Sequence, residues 1–238
     1  MDINDFCKRL RNLHYLNRHT EVLEAYSSYR RSPSYKREAG THLAISLLTL
    51  TSHLLLMKNN EAAAESVSLD MAGEFGQLSE VVLEFVSPIF FPLTQGKVAK
   101  FAESIRAVEV DGLGASQLEA LRVHLTNGIY YAFGDFEQIK ENVGCAEEFQ
   151  MVSLALLASG LVRNGQFSEA RKVLVRIALI DESHILLTLG NIELFLAEFR
   201  PQEALELVRE LGDLHGTGER LGNLEGACHL LACRPEAV

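Results

Sequence analysis

Cys228-His229 with Cys233 invites a metal reading. Two thiols and an imidazole on one helical segment supply at most three ligands. Zinc sites normally take four, in closely spaced pairs, and no second pair lies nearby in sequence. The three read instead as buried thiols and a packed histidine. Gly112-x-Gly114 and Gly216-x-Gly218 resemble fragments of phosphate-binding loops. Neither has the full set of glycines behind a strand, so both read as linkers. Glu147-Glu148 and Asp181-Glu182 are paired carboxylates, and both pairs fall at expected helix starts, where the helix dipole favours negative charge. No Ser-His-Asp order, His-Glu-x-x-His or Gly-Lys-Ser/Thr sequence occurs. The residues therefore predict no catalytic site, no cofactor and no metal, and the chain reads as a non-enzyme.

Charge narrows the partners. The 238 residues carry a formal net charge of −10, which argues against generic nucleic-acid binding. The balance is uneven, because residues 1–40 hold eight Lys/Arg against five Asp/Glu. The basic cluster Lys8, Arg9, Arg11, Arg18, Arg30, Arg31, Lys36 and Arg37 could meet an acidic partner or a membrane surface. Interspersed with Glu21 and Glu24, it reads as a solvated face. Cys7, Cys145, Cys228 and Cys233 are scattered, and Asp2 and Asp5 acidify a start with no apolar core behind it. These features predict reduced thiols in the cytoplasm and no secretory leader. The longest uncharged run, His42–Met57, is too short to span a bilayer and predicts a buried helix.

Periodicity supplies the elements. Asp2–Leu16 predicts a helix with Phe6, Leu10 and Leu13 on one face, and Thr20 is placed to cap a second helix reaching about Arg31. Residues 36–57 predict a long buried helix, and 61–86 a helix weakened at Gly73 and Gly76. Ser87–Pro92 marks a break, and Lys97–Val108 a further helix. Beyond Asp111–Gly114 the pattern becomes regular, with Ser116 as a cap and helices over Gln117–Phe133, Phe136–Asn142, Glu147–Arg163, Ser168–Ile180, Glu182–Ala197, Pro201 to near Gly212, and Glu219–Ala232. Gly134-Asp135-Phe136, Gly165-Gln166-Phe167 and Glu198-Phe199-Arg200-Pro201 each separate two apolar helical runs. The two glycines stand 31 residues apart, and Ala170 and Ala204 stand 34 apart. Such a period belongs to stacked helical hairpins. Each turn glycine closes a helix in the left-handed conformation, and Phe136, Phe167 and Phe199 plug the open ends. Ala158 against Ala170, and Gly190 against Ala204, let helices cross closely. Leu154, Leu157 and Leu161 face Leu174 and Ile177. The fold class read from this pattern is all-α, a right-handed helical-hairpin (tetratricopeptide-like) solenoid over 1–238. Irregular hairpins occupy 1–115 and regular repeats 116–238.

Several of these segments carry a resemblance. Glu147-Glu148-Phe149 through Leu157, then Gly165-Gln166-Phe167-Ser168-Glu169-Ala170-Arg171-Lys172 and Asp181-Glu182, resemble the coatomer epsilon subunit family, in which a similar helix and an Ala-Arg-Lys segment lead into an acidic turn. Leu221-Gly222-Asn223-Leu224-Glu225-Gly226-Ala227-Cys228-His229 is similar to that family's Leu-Asn-Gly-x-Ala-Ala-Cys-His segment, and Glu236-Ala237 aligns with a following Glu-Ala. The likeness covers about 120–237, and the Asp5-Phe6 helix with its hairpin fits the family's start. The resemblance implies a structural subunit of the COPI vesicle coat that binds the C-terminal domain of the coatomer alpha subunit in Golgi-to-ER and intra-Golgi transport. It implies a cytoplasmic protein, peripheral at Golgi membranes, without catalysis or cofactor. Family members continue through further helices, so this chain is expected to stop inside a repeat and to be poorly soluble without its partner.

In a hairpin solenoid the first helix of each pair lines the concave face. The positions rotated away from the buried stripe are Leu121, His124 and Tyr131, then Val152, Ser159, Val162 and Arg163, then His184, Leu187, Asn191 and Phe195. These are the expected partner-binding residues, with apolar and aromatic anchors and a few polar groups to fix register. A free-standing adaptor for a peptide or chaperone tail is the alternative reading. It would want Lys and Asn clamping a carboxylate, for which Asn191 and Arg163 are few.

Overall fold

The structure is a computed structural model that describes residues 3–32, 43–57, 76–81, 102–145 and 149–233. The described residues are helices and turns, without a strand. The N-terminal part contributes α1 (Ile3–Tyr15), α2 (His19–Arg30) and α3 (Leu43–Met57). The remainder runs α4 (Ala115–Phe133), α5 (Phe136–Asn142), α6 (Gln150–Arg163), α7 (Phe167–Ile180), α8 (Ile185–Ala197), α9 (Pro201–His215) and α10 (Glu219–Ala232). The expectations for 58–75, 82–101, Glu147-Glu148 and Pro235-Glu236-Ala237 lie outside the described residues, as does the expected start of α3 at 36. Residues 102–106 are helical, as the reading of Lys97–Val108 expects for that part.

The same turn joins four pairs of consecutive helices among the described residues, α1/α2, α4/α5, α6/α7 and α8/α9. A residue with positive φ follows the helix, and the next amide reaches back to a carbonyl five residues earlier. Asn17 (φ 60°), Gly134 (77°), Gly165 (71°) and Phe199 (58°) hold this place. The returning bonds are Arg18 N to Leu13 O at 2.9 Å, Asp135 N to Tyr130 O at 2.9 Å, Gln166 N to Leu161 O at 2.9 Å and Arg200 N to Phe195 O at 2.8 Å. Phe199 therefore matches the turn glycines and not Phe136 and Phe167, and it is 70% exposed. The expectation that it plugs the hairpin is corrected. Pro201 is the buried residue at the first position of α9, where Phe136 and Phe167 stand in α5 and α7.

Two expected caps also move. α2 begins at His19 without a side-chain cap, so Thr20 lies inside it. α4 begins at Ala115, with Gln117 Oε1 accepting from the Gly114 amide at 3.2 Å, so Ser116 is helical. Asp181-Glu182 precedes α8 instead of opening it. Asp181 accepts hydrogen bonds from the Ser183 amide and hydroxyl at 3.0 and 2.8 Å.

The first helices of the hairpins stack side by side, α4 on α6, α6 on α8 and α8 on α10. Each second helix packs on its own partner and on the next first helix, as α5 does on α4 and α6, and α7 on α6 and α8. Leu154, Leu157, Ala158, Ala170, Leu174 and Ile177 form the buried centre of the α6/α7 pair. The glycines in α6 and α8 serve the contact between hairpins. A Cβ on Gly160 would lie 2.2 Å from Phe136 Cδ1, and one on Gly190 would lie 2.6 Å from Leu174 Cδ2. Gly190 is thus approached most closely from the preceding hairpin and not from Ala204.

The N-terminal hairpin does not simply head a line of repeats. Phe6, Leu10 and Leu13 bury one face of α1 in a cluster with α2, α3 and α4. Its C-terminal end instead joins α8, α9 and α10. Leu16 is 1% exposed among Ile185, Leu189, Val208, Leu211 and Leu221. Arg18 Nη1 donates to the His215 carbonyl, and Arg220 Nη1 donates to the Tyr15 carbonyl at 2.5 Å. Arg18 also lays its stem beside Gly218 and its guanidinium beside Gly216, in the linker between α9 and α10.

Two substitutions test this packing. A methyl at Gly160 meets three atoms of the Phe136 ring, including Cγ, so ring rotation alone does not clear it. At Gly190 it meets the tip of a flexible leucine. Helix propensity favours alanine over glycine by about 1 kcal/mol at both sites. Gly160→Ala is expected to lower stability by a net ~1–3 kcal/mol, the cost of overpacking, and Gly190→Ala to stay within about 1 kcal/mol of the parent in urea titrations. The reverse ranking counts against the contact. Phe199→Gly is expected to raise stability by about 0.5–1 kcal/mol, because relief of the left-handed strain exceeds the added freedom of the unfolded chain. A lower urea midpoint for that variant contradicts the strain.

Candidate protein-interaction face and the cavity beneath it

The eleven residues expected to bind a partner fall into separate environments. Leu121 is fully buried in the N-terminal cluster and presents no surface, which corrects its placement on the groove. His184 is 3% exposed and caps α8, its Nδ1 accepting from the Leu186 amide at 3.2 Å. His124 stacks against Phe149 at 4.7 Å between centroids, and Val152 is half-buried against the same cluster. Their helices were placed correctly, but α1 and α3 lie beside these positions, a covering that repeat spacing does not reveal.

A second group forms a surface network. The Tyr131 hydroxyl lies 2.9 Å from Ser159 Oγ, joining α4 to α6. Arg163 is exposed, and its guanidinium sits 5.4 Å from the Tyr131 ring centroid. Val162 and Leu187 are half-buried against the α6/α7 cluster. Asn191 spends its side-chain N–H on the Leu187 carbonyl at 3.0 Å. Phe195 is half-buried with the C-terminal cluster and carries the Arg200 guanidinium 4.5 Å above its ring. The structure thus joins Tyr131, Ser159 and Arg163, and it places His124, Val152 and His184 on one cavity.

That cavity, of about 230 Å³, lies between the N-terminal helices and the inner face of the repeats. Arg11, His14 and Tyr15 of α1 and Leu47 and Thr51 of α3 face His124, Phe149, Val152 and His184 across it. Ser52 bridges two imidazoles, 2.9 Å from His14 Nδ1 and 3.2 Å from His19 Nδ1. A hydroxyl has one hydrogen, so one ring accepts it and the other presents an N–H to the oxygen. Burial lowers the pKa of His14 to about 3, with help from His19, His124 and Arg220. Burial also holds His124 at about 4. His184 is lowered to about 4 by burial and then by Arg11, against the raising influence of Asp181. All three imidazoles are neutral at pH 7.

The cavity residues that sequence reasoning missed include Arg11, His14 and Tyr15. The only signal was the basic surplus of the first 40 residues, read as a solvated face. In the structure Arg18 pairs with Glu21 at 2.5 Å and holds the His215 carbonyl, while Arg11 faces the cavity. The cysteines separate as well. Cys228 is buried and its thiol is pushed up by burial. Cys233 is exposed, and exposed His229 lies 3.8 Å from Glu225, which corrects the reading of a second buried thiol and a packed histidine.

The neutral imidazoles set a pH response. Below about pH 6.5 the unfolded chain takes up protons that the folded cluster refuses, so stability is greatest above that pH. It falls as pH drops and levels off once the folded rings protonate, near pH 4 for His124 and His184 and near pH 3 for His14. Between its unfolded and folded pKa each ring contributes a slope of at most about 1.4 kcal/mol per pH unit. Urea titrations at pH 7, 6, 5 and 4.5 are expected to show this loss, flattened in a His14→Gln/His124→Gln variant. An unchanged slope in that variant refutes the assignment.

No family model matches the chain, and no curated protein matches it in sequence.

Proposed function

We propose that the chain is a non-enzymatic, protein-binding helical scaffold of the coatomer epsilon type, holding the C-terminal domain of the coatomer alpha subunit. In this reading it is cytoplasmic and peripheral at Golgi membranes through the COPI coat, and its hairpins follow a right-handed tetratricopeptide-like course. One observation carries the reading. Consecutive hairpins close by the same left-handed turn and stack first helix on first helix, and a larger polypeptide can lie along such a row. The Ala-Arg-Lys segment that resembles the coat family stands in α7, the second helix of the α6/α7 hairpin. Tyr131, Ser159 and Arg163 present an aromatic ring, a hydroxyl and a cation as one connected patch, the combination that anchors interfaces. The adaptor alternative gains little, because Asn191 is committed to the Leu187 carbonyl and leaves Arg163 without the second polar group of a carboxylate clamp. Among the described residues no helix is long and apolar enough to cross a membrane.

The test is direct binding to the purified C-terminal domain of the coatomer alpha subunit by calorimetry and co-elution. A stoichiometric complex is expected, and Tyr131→Ala with Arg163→Ala is expected to weaken it about tenfold or more while leaving the helical circular dichroism and a cooperative urea transition intact. No complex at tens of micromolar, or equal binding by the folded double variant, overturns the reading or its site.

A further inference from the structure

Arg11 differs from the arginines around it. Arg18 is paired with Glu21 and a carbonyl, and Arg220 donates to Tyr15 and lies 3.7 Å from Glu193. Arg11 Nε is buried with no hydrogen-bond partner, and among the described residues no carboxylate pairs with it. A buried charged donor left unmatched is costly, and folded proteins rarely retain one without a use. Arg11 lines the 230 Å³ cavity, and no acidic residue does. The remaining wall has two characters. His14, His124 and Thr51 offer polar groups, and neutral imidazoles can present an N–H. Leu47, Phe149 and Val152 are apolar.

We propose that this cavity binds a small monocarboxylate with an apolar body, its carboxylate on Arg11 and its hydrocarbon against Leu47, Phe149 and Val152. The chemistry follows from the lining. Asp181 feels the charge of Arg11 from outside the cavity, but no carboxylate lines the cavity or bonds the guanidinium, so within it Arg11 selects an anion, and its fork matches a carboxylate in two parallel bonds. An extended apolar wall disfavours a compact, strongly hydrated dianion such as phosphate, which would lose its water there without apolar compensation. The volume lies below the ~300–1,000 Å³ of drug-sized sites, which limits the occupant to a small molecule or one terminal side chain. The same chemistry is offered by a free aliphatic acid and by the C-terminal carboxylate of a peptide ending in an apolar residue. The inference is independent of the coat-subunit reading, because it concerns a pocket roofed by the chain's own first helix.

Calorimetry on the full chain at pH 7 with octanoate, octanol and an acetylated tripeptide ending in leucine separates the cases. Saturable octanoate binding, absent with octanol and weakened about ten- to a hundredfold by Arg11→Gln, supports the site with a free acid as ligand. Tighter binding of the tripeptide, equally dependent on Arg11, supports the same site with a peptide terminus as its source. Arg9→Gln on the same helix serves as the control and is expected to bind like the parent. Imidazole titrations followed by NMR keep the test open if Arg11→Gln misfolds. A bound carboxylate is expected to raise the pKa of His14 and His124, and octanol to leave both unchanged. Binding of neither acid, equal affinity for octanol, or full affinity in folded Arg11→Gln overturns the proposal.

Discussion

The architecture depends on a backbone constraint met four times. At Asn17, Gly134, Gly165 and Phe199 the chain enters the left-handed region for one residue and returns an amide to a carbonyl of the finished helix. That single residue reverses the chain without leaving carbonyls unsatisfied, so the next helix runs back antiparallel in close contact. With the reversals fixed, the apolar stripes decide the rest. First helices meet first helices, and side chains of one hairpin enter the glycine gaps of the next, as Phe136 enters at Gly160. The contacts among Tyr131, Ser159 and Arg163 exist because α4 and α6 are neighbours in that row.

The sequence was most legible where its signal is local. Gly134 and Gly165 could be placed because glycine is the residue that takes positive φ at little cost, and Phe136–Asn142 and Glu219–Ala232 followed from the spacing around them. Phe199 misled because an aromatic in the left-handed position is rare. Alignment by residue type matched it to the wrong phenylalanines, although its place 34 residues after Gly165 fits the period. Thr20 and Ser116 are good capping residues, but the chain used Arg18 and Gly114 instead, where the backbone of the preceding turn already sets the start. At the candidate site the helix faces were readable and the burial was not. Nothing periodic in the sequence announces that α1 and α3 roof His124, Val152 and His184.

That roof is fastened by two different kinds of contact. Leu16 supplies apolar burial among α8, α9 and α10, and Arg18 and Arg220 each cap a carbonyl at the end of a helix from the other part of the chain. Guanidinium donors suit these positions, because helix C-termini carry partial negative charge. The imidazoles beneath contribute through neutrality, since protonating His14 would bring positive charge toward Arg220 and protonating His184 toward Arg11. A linear repeat protein spreads its stability over nearest neighbours. Here the first and last hairpins are also tied to each other.

The tie has a consequence for how the chain is made. Ribosomes deliver the N-terminal hairpin first, yet the seat for Leu16 and the carbonyl that receives Arg18 come from Ile185 onward, about two hundred residues later. At the usual elongation rate of about 5–20 residues per second, the hairpin waits roughly ten to forty seconds with that leucine exposed. During vectorial synthesis it is a nascent segment without its final surface until α8, α9 and α10 emerge.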